Sequence, residues 1–80
     1  MTKAFLKPDR LLDTVGYYCP IPVIRTSRAV DEMKPGEILE IVSDDRGALM
    51  DIPDWCASHG HDYLEHRDED GEYHLFIRKR

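Results

Sequence analysis

No apolar run in the chain approaches the roughly 18 residues that a membrane span needs. Its first residues, Met1-Thr2-Lys3-Ala4-Phe5-Leu6-Lys7-Pro8, lack the continuous apolar stretch of a secretory signal. Neither export nor membrane contact is expected, so the protein is read as cytoplasmic. Cysteine is scarce, with Cys19 and Cys56 the only two. A reducing compartment disfavours a structural disulfide between them, so each thiol needs its own explanation. There is no Gly-rich phosphate loop, no G-x-S-x-G elbow and no base obviously paired with a cysteine, which argues against hydrolytic cysteine chemistry. Cys56, His59 and His61 lie close together, but their spacing matches no closed four-ligand zinc pattern. No metal and no cofactor are expected. Positive charge is also in deficit, with 11 basic against 16 acidic residues and a net charge of −5. An acidic surface repels phosphate backbones, so direct nucleic-acid binding is not expected. The basic end, Arg78-Lys79-Arg80, reads as a solvated terminus.

What is present is enough for one domain over residues 1–80, with residues 1–7 as a loose tail. A chain this short has a thin core and little room for a deep pocket, so its chemistry belongs at the surface. The small core and acidic charge also favour a monomer. Leu11 and Leu12 mark a first strand over Asp9–Asp13, and Thr14 to Tyr18 form the loop that leads to Cys19. A helix is expected from Pro20 to Met33. Proline is tolerated in a first turn, where N–H groups lack intrahelical acceptors, and Pro35-Gly36 ends the helix. At about 100° per residue, Val23, Thr26, Ala29, Val30 and Met33 share an arc of roughly 120°, the expected buried stripe. Arg25, Arg28 and Glu32 lie opposite, and so do Ile21 and Ile24, two isoleucines that do not serve the core.

Glu37–Ser43 is rich in β-branched residues and reads as a second strand. A second helix ends at Gly60, with Ala48, Ile52, Trp55, Cys56 and His59 on one side and Leu49 at its margin. Pro53 predicts either a kink there or a late start capped by Asp51. The last strands are about Asp62–Arg67 and Glu72–Arg78, joined across Asp68-Glu69-Asp70-Gly71. The order β-α-β-α-β-β, with right-handed crossovers, places both helices on one face of a mixed four-stranded sheet. The fold class is therefore an α/β (α+β) two-layer sandwich. The other sheet face is left to solvent, with His74, Phe76 and Arg78 pointing into it and Tyr73, Leu75 and Ile77 pointing inward.

Cys19 stands out because it precedes a helix. A sulfur there faces unpaired N–H groups and the positive end of the helix dipole, so its thiolate is expected to form more readily than in free cysteine. Pro20 and Pro22 fix the turn that presents it. Cys56, on the core arc beside Trp55, reads as structural. Asp44 and Asp45 follow the second strand as Cys19 follows the first, so both segments emerge at the same sheet edge. The two aspartates are read either as helix-capping and solvated residues or as groups acting on Cys19.

These residues carry a family resemblance. Leu12-Asp13, Gly16 and Cys19-Pro20-Ile21-Pro22 resemble the signature of the TusA/SirA family of small sulfur-carrier proteins. Pro35-Gly36-Glu37, Asp44-Asp45, Asp51-Ile52-Pro53-Asp54-Trp55-Cys56 and Gly60-His61 extend the likeness over Leu11 to Lys79. The resemblance implies a persulfide carried on Cys19. Its sulfur would come from a cysteine desulfurase or rhodanese-like donor and pass to an acceptor protein, in tRNA 2-thiolation, sulfur oxidation or cofactor sulfuration. Two departures bear on the choice of partner. Ile21 stands where the tRNA-thiolation branch has glutamate, and Arg46 stands where proline often follows the paired aspartates.

The first reading is thus a sulfurtransferase whose thiolate needs access more than a base. Its expected docking residues are Ile21, Ile24, Arg25, Arg28, Asp44 and Asp45, with Gly16, Pro20 and Pro22 shaping the turn. The second is a regulatory or protein-binding module in which Cys19 is incidental and the outward helix face does the work. A third, a Cys19–Cys56 redox pair, requires Cys56 to leave the core.

Overall fold

The structure is a computed structural model and describes residues 7–80. The expected tail therefore lies almost entirely outside the described residues. Four strands and two helices alternate as expected: β1 (Arg10–Asp13), α1 (Ile21–Asp31), β2 (Ile38–Ser43), α2 (Ala48–His59), β3 (Asp62–Glu69) and β4 (Glu72–Arg78). They form one sheet in the order β1-β2-β4-β3. β1 runs parallel to β2, and β4 runs antiparallel to both β2 and β3. Only β1 and β2 are parallel neighbours, so the loops that follow them leave the sheet at the same edge.

Both helices pack on one face, and the core lies between them and the sheet. Ala29, Val30 and Met33 from α1 and its end meet Ala48, Ile52 and Cys56 from α2 over Leu39, Ile41, Leu75 and Ile77. The register explains this set, because Leu39 is opposite Ile77 and Ile41 is opposite Leu75, so all four point the same way. The phase expected for α1 is observed. Thr26, Ala29, Val30 and Met33 are buried and Val23 packs against the core, while Ile21 and Ile24 remain 37% and 44% exposed. Burying a branched side chain of this kind stabilises the fold by roughly 1.5–3 kcal/mol.

Three expectations need correcting. First, α2 neither starts late nor takes Asp51 as its cap. Gly47 is the N-cap, and the Met50 and Asp51 N–H groups both donate to the Gly47 carbonyl, at 3.1 and 2.9 Å. Pro53, the sixth residue of the helix, stays within it. Second, His59 is exposed, its ring stacked on Trp55 with centroids 4.9 Å apart, so the buried stripe of α2 is Ala48, Ile52 and Cys56. Third, Phe76 does point to the face without helices, but it is fully buried. It lies in register between Glu40 and Glu65, and the Arg67 guanidinium stands 5.0 Å from its ring centroid. Long polar side chains bury an aromatic ring by laying their stems and cationic ends over it. Next to it, His74 Nδ1 meets Glu40 Oε2 at 2.6 Å.

The β3–β4 turn is tighter than the four residues expected for it. Asp70 and Gly71 alone make it, with φ of 52° and 84°, the left-handed pair that a two-residue hairpin turn requires. At the other end of β4, Lys79 closes α1. Its Nζ donates to the carbonyls of Val30 and Met33 at 2.8 and 2.7 Å where the helix ends, the Val30 carbonyl also accepting the Met33 N–H at 3.0 Å. Lys79→Met keeps much of the stem and removes both bonds. It is expected to lower the unfolding free energy by about 1–2 kcal/mol, seen as a lower denaturant midpoint at unchanged slope.

Candidate functional site

The site is built by the loop between β1 and α1. The β1–β2 pairing does not stop at Asp13, because side chains and backbone carry it onward. Thr14, fully buried, donates from both its N–H (2.7 Å) and its Oγ1 (2.6 Å) to the carbonyl of Val42. Gly16 N–H donates to Asp44 Oδ1 at 3.0 Å, and Cys19 N–H donates to Asp45 Oδ2 at 2.9 Å. The loop is thus held at three points to the segment leaving β2. Gly16 has φ of 92°, a conformation open to glycine at little cost. Asp45 Oδ1 also accepts from Gly47 N–H at 3.1 Å, so one carboxylate ties the cysteine to the start of α2. Between the two readings of the aspartates, the geometry gives them a shared duty: both hold the cysteine loop, and Asp45 also bonds at the helix entrance.

Cys19 is exposed at the tip of this arrangement. Pro20 is the N-cap position of α1 and is exposed, whereas the Pro22 side chain is buried in the core, so it anchors the turn from below. The expected ease of ionisation is not found, for the Cys19 thiol is pushed up from its ordinary value. The largest cause is a hydrogen bond to the Asp51 side chain, followed by burial and by the charges of Asp51 and Asp45. The helix start offers little to oppose this. Pro20 and Pro22 carry no N–H, Ile21 N–H donates to Tyr18 O (2.8 Å), and Cys19 N–H is taken by Asp45. With two donors missing and two engaged, the helix start stabilises a sulfur anion weakly, whereas two nearby carboxylates disfavour it directly.

Asp51 is the residue that sequence reasoning missed at this site, having placed it as a cap. The available signal was topological. Both helices start from the same sheet edge, so the first turn of α2 faces the loop that precedes α1.

Cys56 behaves as the sequence suggested. It is 1% exposed, and burial pushes its thiol up to about 11. His59 and His61 both stack on Trp55, and among the described residues no three His, Cys, Asp or Glu side chains are arranged to hold a metal ion.

Beside the loop, α1 and β1 enclose a shallow groove of about 460 Å³. Leu12, Ile21 and Ile24 give it apolar walls, and Arg10, Arg25 and Arg28 line it with positive charge. Two contacts fix its edges. Arg10 pairs with Glu32 at 2.6 Å, and the Arg25 guanidinium lies 4.4 Å over the Tyr17 ring while donating to its hydroxyl at 3.3 Å. The structure therefore joins Ile21, Ile24, Arg25 and Arg28 in one surface, and places Asp44 and Asp45 on the loop side, against Gly16 and Cys19.

Cys19 is thus exposed on a clamped loop at the carboxyl edge of a two-layer β-α-β-α-β-β sandwich. The family model described as Sulfurtransferase TusA matches residues 10–79. The chain belongs to this family. It is 42% identical to "Putative sulfur carrier protein YrkI" of Bacillus subtilis (strain 168) over 74 residues, which is 92% of this chain and 99% of that protein. Its fold is similar to the crystal structure of a SirA-like protein from Desulfitobacterium hafniense. The TM-score is 0.78 at 25% identity, over 86% of this chain and 95% of that one. The sulfur-carrier class is thus shared by family and relative, and a carrier of this class works between protein partners.

Two measurements follow from the thiols. Alkylation of the folded protein should modify Cys19 alone, with Cys56 reacting only on unfolding. Because the folded Cys56 thiol titrates near 11, above its ordinary 9.0, the folded state retains a proton that the unfolded chain releases between those values. Its contribution to stability is complete below about pH 9 and is lost as pH rises towards about 11. Denaturant midpoints should therefore fall over that interval in wild type, and fall less steeply in Cys56→Val.

Proposed function

We propose that the protein carries sulfur as a persulfide on Cys19, taking it from a donor protein and yielding it to an acceptor protein. The observation that supports this most directly is the exposure of Cys19 on a loop clamped by Asp44 and Asp45, while the other cysteine is sealed in the core. In uptake, the Cys19 sulfur bonds to the terminal sulfur of the donor's persulfide. The donor's S–S bond breaks, its electron pair leaves on the donor's own sulfur, and the thiol proton of Cys19 ends there. One thiol and one persulfide enter, one thiol and one persulfide leave, and nothing is oxidised overall. The acceptor step repeats this exchange in the other direction. This chemistry calls for no cofactor or metal. The donor is a persulfide-forming protein of the cysteine desulfurase or rhodanese-like kind, and the carrier works as a cytoplasmic monomer.

Docking in this reading uses the α1 groove. An apolar floor rimmed by arginines next to the reactive atom suits a partner segment that brings both apolar and acidic side chains. Ile21, exposed beside Cys19, then helps to select the partner.

Incubation with a cysteine desulfurase and cysteine should add one reductant-labile sulfur to the intact protein, read by mass spectrometry. Cys19→Ser should abolish the label and Cys56→Ser should keep it. A label that follows Cys56, or none with several donors, replaces this reading with that of a binding module. Ile24→Asp and Arg25→Glu are expected to slow transfer roughly tenfold, the worth of about 1.4 kcal/mol of docking energy, with the thermal midpoint unchanged. Wild-type rates in both variants would move docking away from α1.

A further inference from the structure

The sheet has two edges, and they are built differently. At one, β3 carries Asp62, Glu65, Arg67, Asp68 and Glu69, and a bulge between Tyr63 and Glu65 interrupts its pairing with β4. Interspersed charge and a bulge keep an edge strand from pairing with another chain. At the other edge, β1 has Leu11 and Leu12 in its middle and charge only at its ends, and its register with β2 runs unbroken. The N–H groups of Asp9 and Thr14 donate to Ile38 O and Val42 O, so the chain follows β2 from Asp9 to Thr14. Among the described residues β2 is its one strand neighbour. Alternate residues of such a strand turn their N–H and C=O groups outward.

The groove lies along this same edge. Arg10 and Leu12 line it from β1, and Ile21, Ile24, Arg25 and Arg28 line it from α1. Its cations are incompletely matched. Arg10 pairs with Glu32, whereas neither Arg25 nor Arg28 has a carboxylate partner among the described residues. Three arginines so placed on a chain of net charge −5 suit an acidic occupant. A second copy of this chain fits badly, since two-fold pairing of β1 with itself brings the same arginines in from both sides.

We propose that β1 is a docking edge: an extended, acidic segment of a partner protein adds to it as a further strand and lays an apolar side chain, flanked by carboxylates, into the groove. The proposal rests on the reading that partners dock beside α1, and it specifies the form in which they do so. Side chains two apart on a strand share a face, so every second residue of the added segment points into the groove. An apolar one meets Leu12, Ile21 and Ile24, and acidic ones before and after it meet the arginines. The intervening residues fall beside Leu11, which is 61% exposed. Main-chain bonds to β1 supply affinity, and the groove supplies selection. Because the loop after β1 leads to Cys19, a segment seated on this strand fixes the partner's place relative to the sulfur.

The test titrates isotope-labelled protein with the peptide Thr-Glu-Thr-Leu-Thr-Glu-Thr, whose Glu and Leu side chains share one face of a strand, and follows the amide signals by NMR. Signals of β1 and of the outer face of α1 should shift. Exchanging both Glu of the peptide for Lys, or Arg28→Glu in the protein, should weaken binding roughly tenfold or more. Two methylated peptides separate strand addition from side-chain contact alone. N-methyl groups on the third and fifth residues block one hydrogen-bonding edge of the peptide, and on the fourth and sixth they block the other. One of the two should bind as the parent does, and the other should lose roughly tenfold or more. Equal behaviour of the two, whether binding is kept or lost, overturns the proposal. So do an absence of shifts at millimolar parent peptide, shifts confined to β3, a response that Arg28→Glu leaves unchanged, or self-association of the protein through β1. No sulfur enters this assay, so such a result leaves the persulfide reading standing. A protein that takes no label from a desulfurase is equally open to the titration.

Discussion

The carboxylate of Asp45 holds the functional end of the molecule together. One oxygen accepts the Cys19 N–H and the other accepts the Gly47 N–H, so a single side chain joins the start of α1 to the start of α2. Neither helix has a side-chain cap of its own. Without this bridge, the loop after β1 would keep only Thr14 on Val42 and Gly16 on Asp44 as ties to the segment leaving β2. The parallel β1–β2 pair is what makes the bridge geometrically available. It ends with Asp13 opposite Val42, so the next residues of both strands run out side by side over the same edge. The alternation Thr14–Val42, Gly16–Asp44, Cys19–Asp45 is the ladder continued by other means.

That construction has an electrostatic consequence. Carboxylates suit this role because a charged acceptor makes stronger bonds to backbone N–H groups than a neutral one. The same charge opposes ionisation of the sulfur it positions. Rigidity of the loop and nucleophilicity of the resting thiol therefore pull against each other, and the site favours rigidity. The proposed relay tolerates that choice, because an exchange in which the partner supplies the activated sulfur needs an accessible and well-placed atom before it needs a permanently ionised one. A cysteine hydrolase, which must generate its own thiolate, would not.

Much of this was legible in the sequence because periodicity and turn chemistry agree with the fold. Val23, Thr26, Ala29, Val30 and Met33 recur at helical spacing, and the two isoleucines left off that stripe are those that border the groove. Cys56 declared itself by its place beside Ile52 and Trp55. Most of the misses depend on neighbours distant in the chain; the exception, His59, answers to a residue one helical turn away. Phe76 is buried on the face without helices between Glu40 and Glu65 of the flanking strands, with Arg67 of the adjacent strand over its ring. The His59 ring turns to stack on Trp55 instead of entering the core. Seen from the sequence alone, the helix start beside Cys19 is a set of donors from which Pro20 and Pro22 remove two. The folded chain assigns Ile21 N–H to Tyr18 and Cys19 N–H to Asp45, and the Asp51 carboxylate helps to push the Cys19 thiol up.

The surface around Cys19 is consequently divided in sign. Towards α2 lie Asp45 and Asp51; towards β1 lies a groove with apolar walls bordered by Arg10, Arg25 and Arg28. A net charge of −5 spread evenly would give partners no orientation, whereas adjacent patches of opposite sign create a dipole across the reactive atom. Complementary charge on a partner fixes which way round it approaches and suppresses the reversed encounter. Orientation matters for sulfur exchange in particular, because attacking sulfur, transferred sulfur and leaving sulfur must come close to a line. The cysteine is too exposed to enforce that line with a pocket of its own. In the proposed relay, alignment comes from the partner's seating, and the sign boundary beside Cys19 is a feature of this small surface able to direct it.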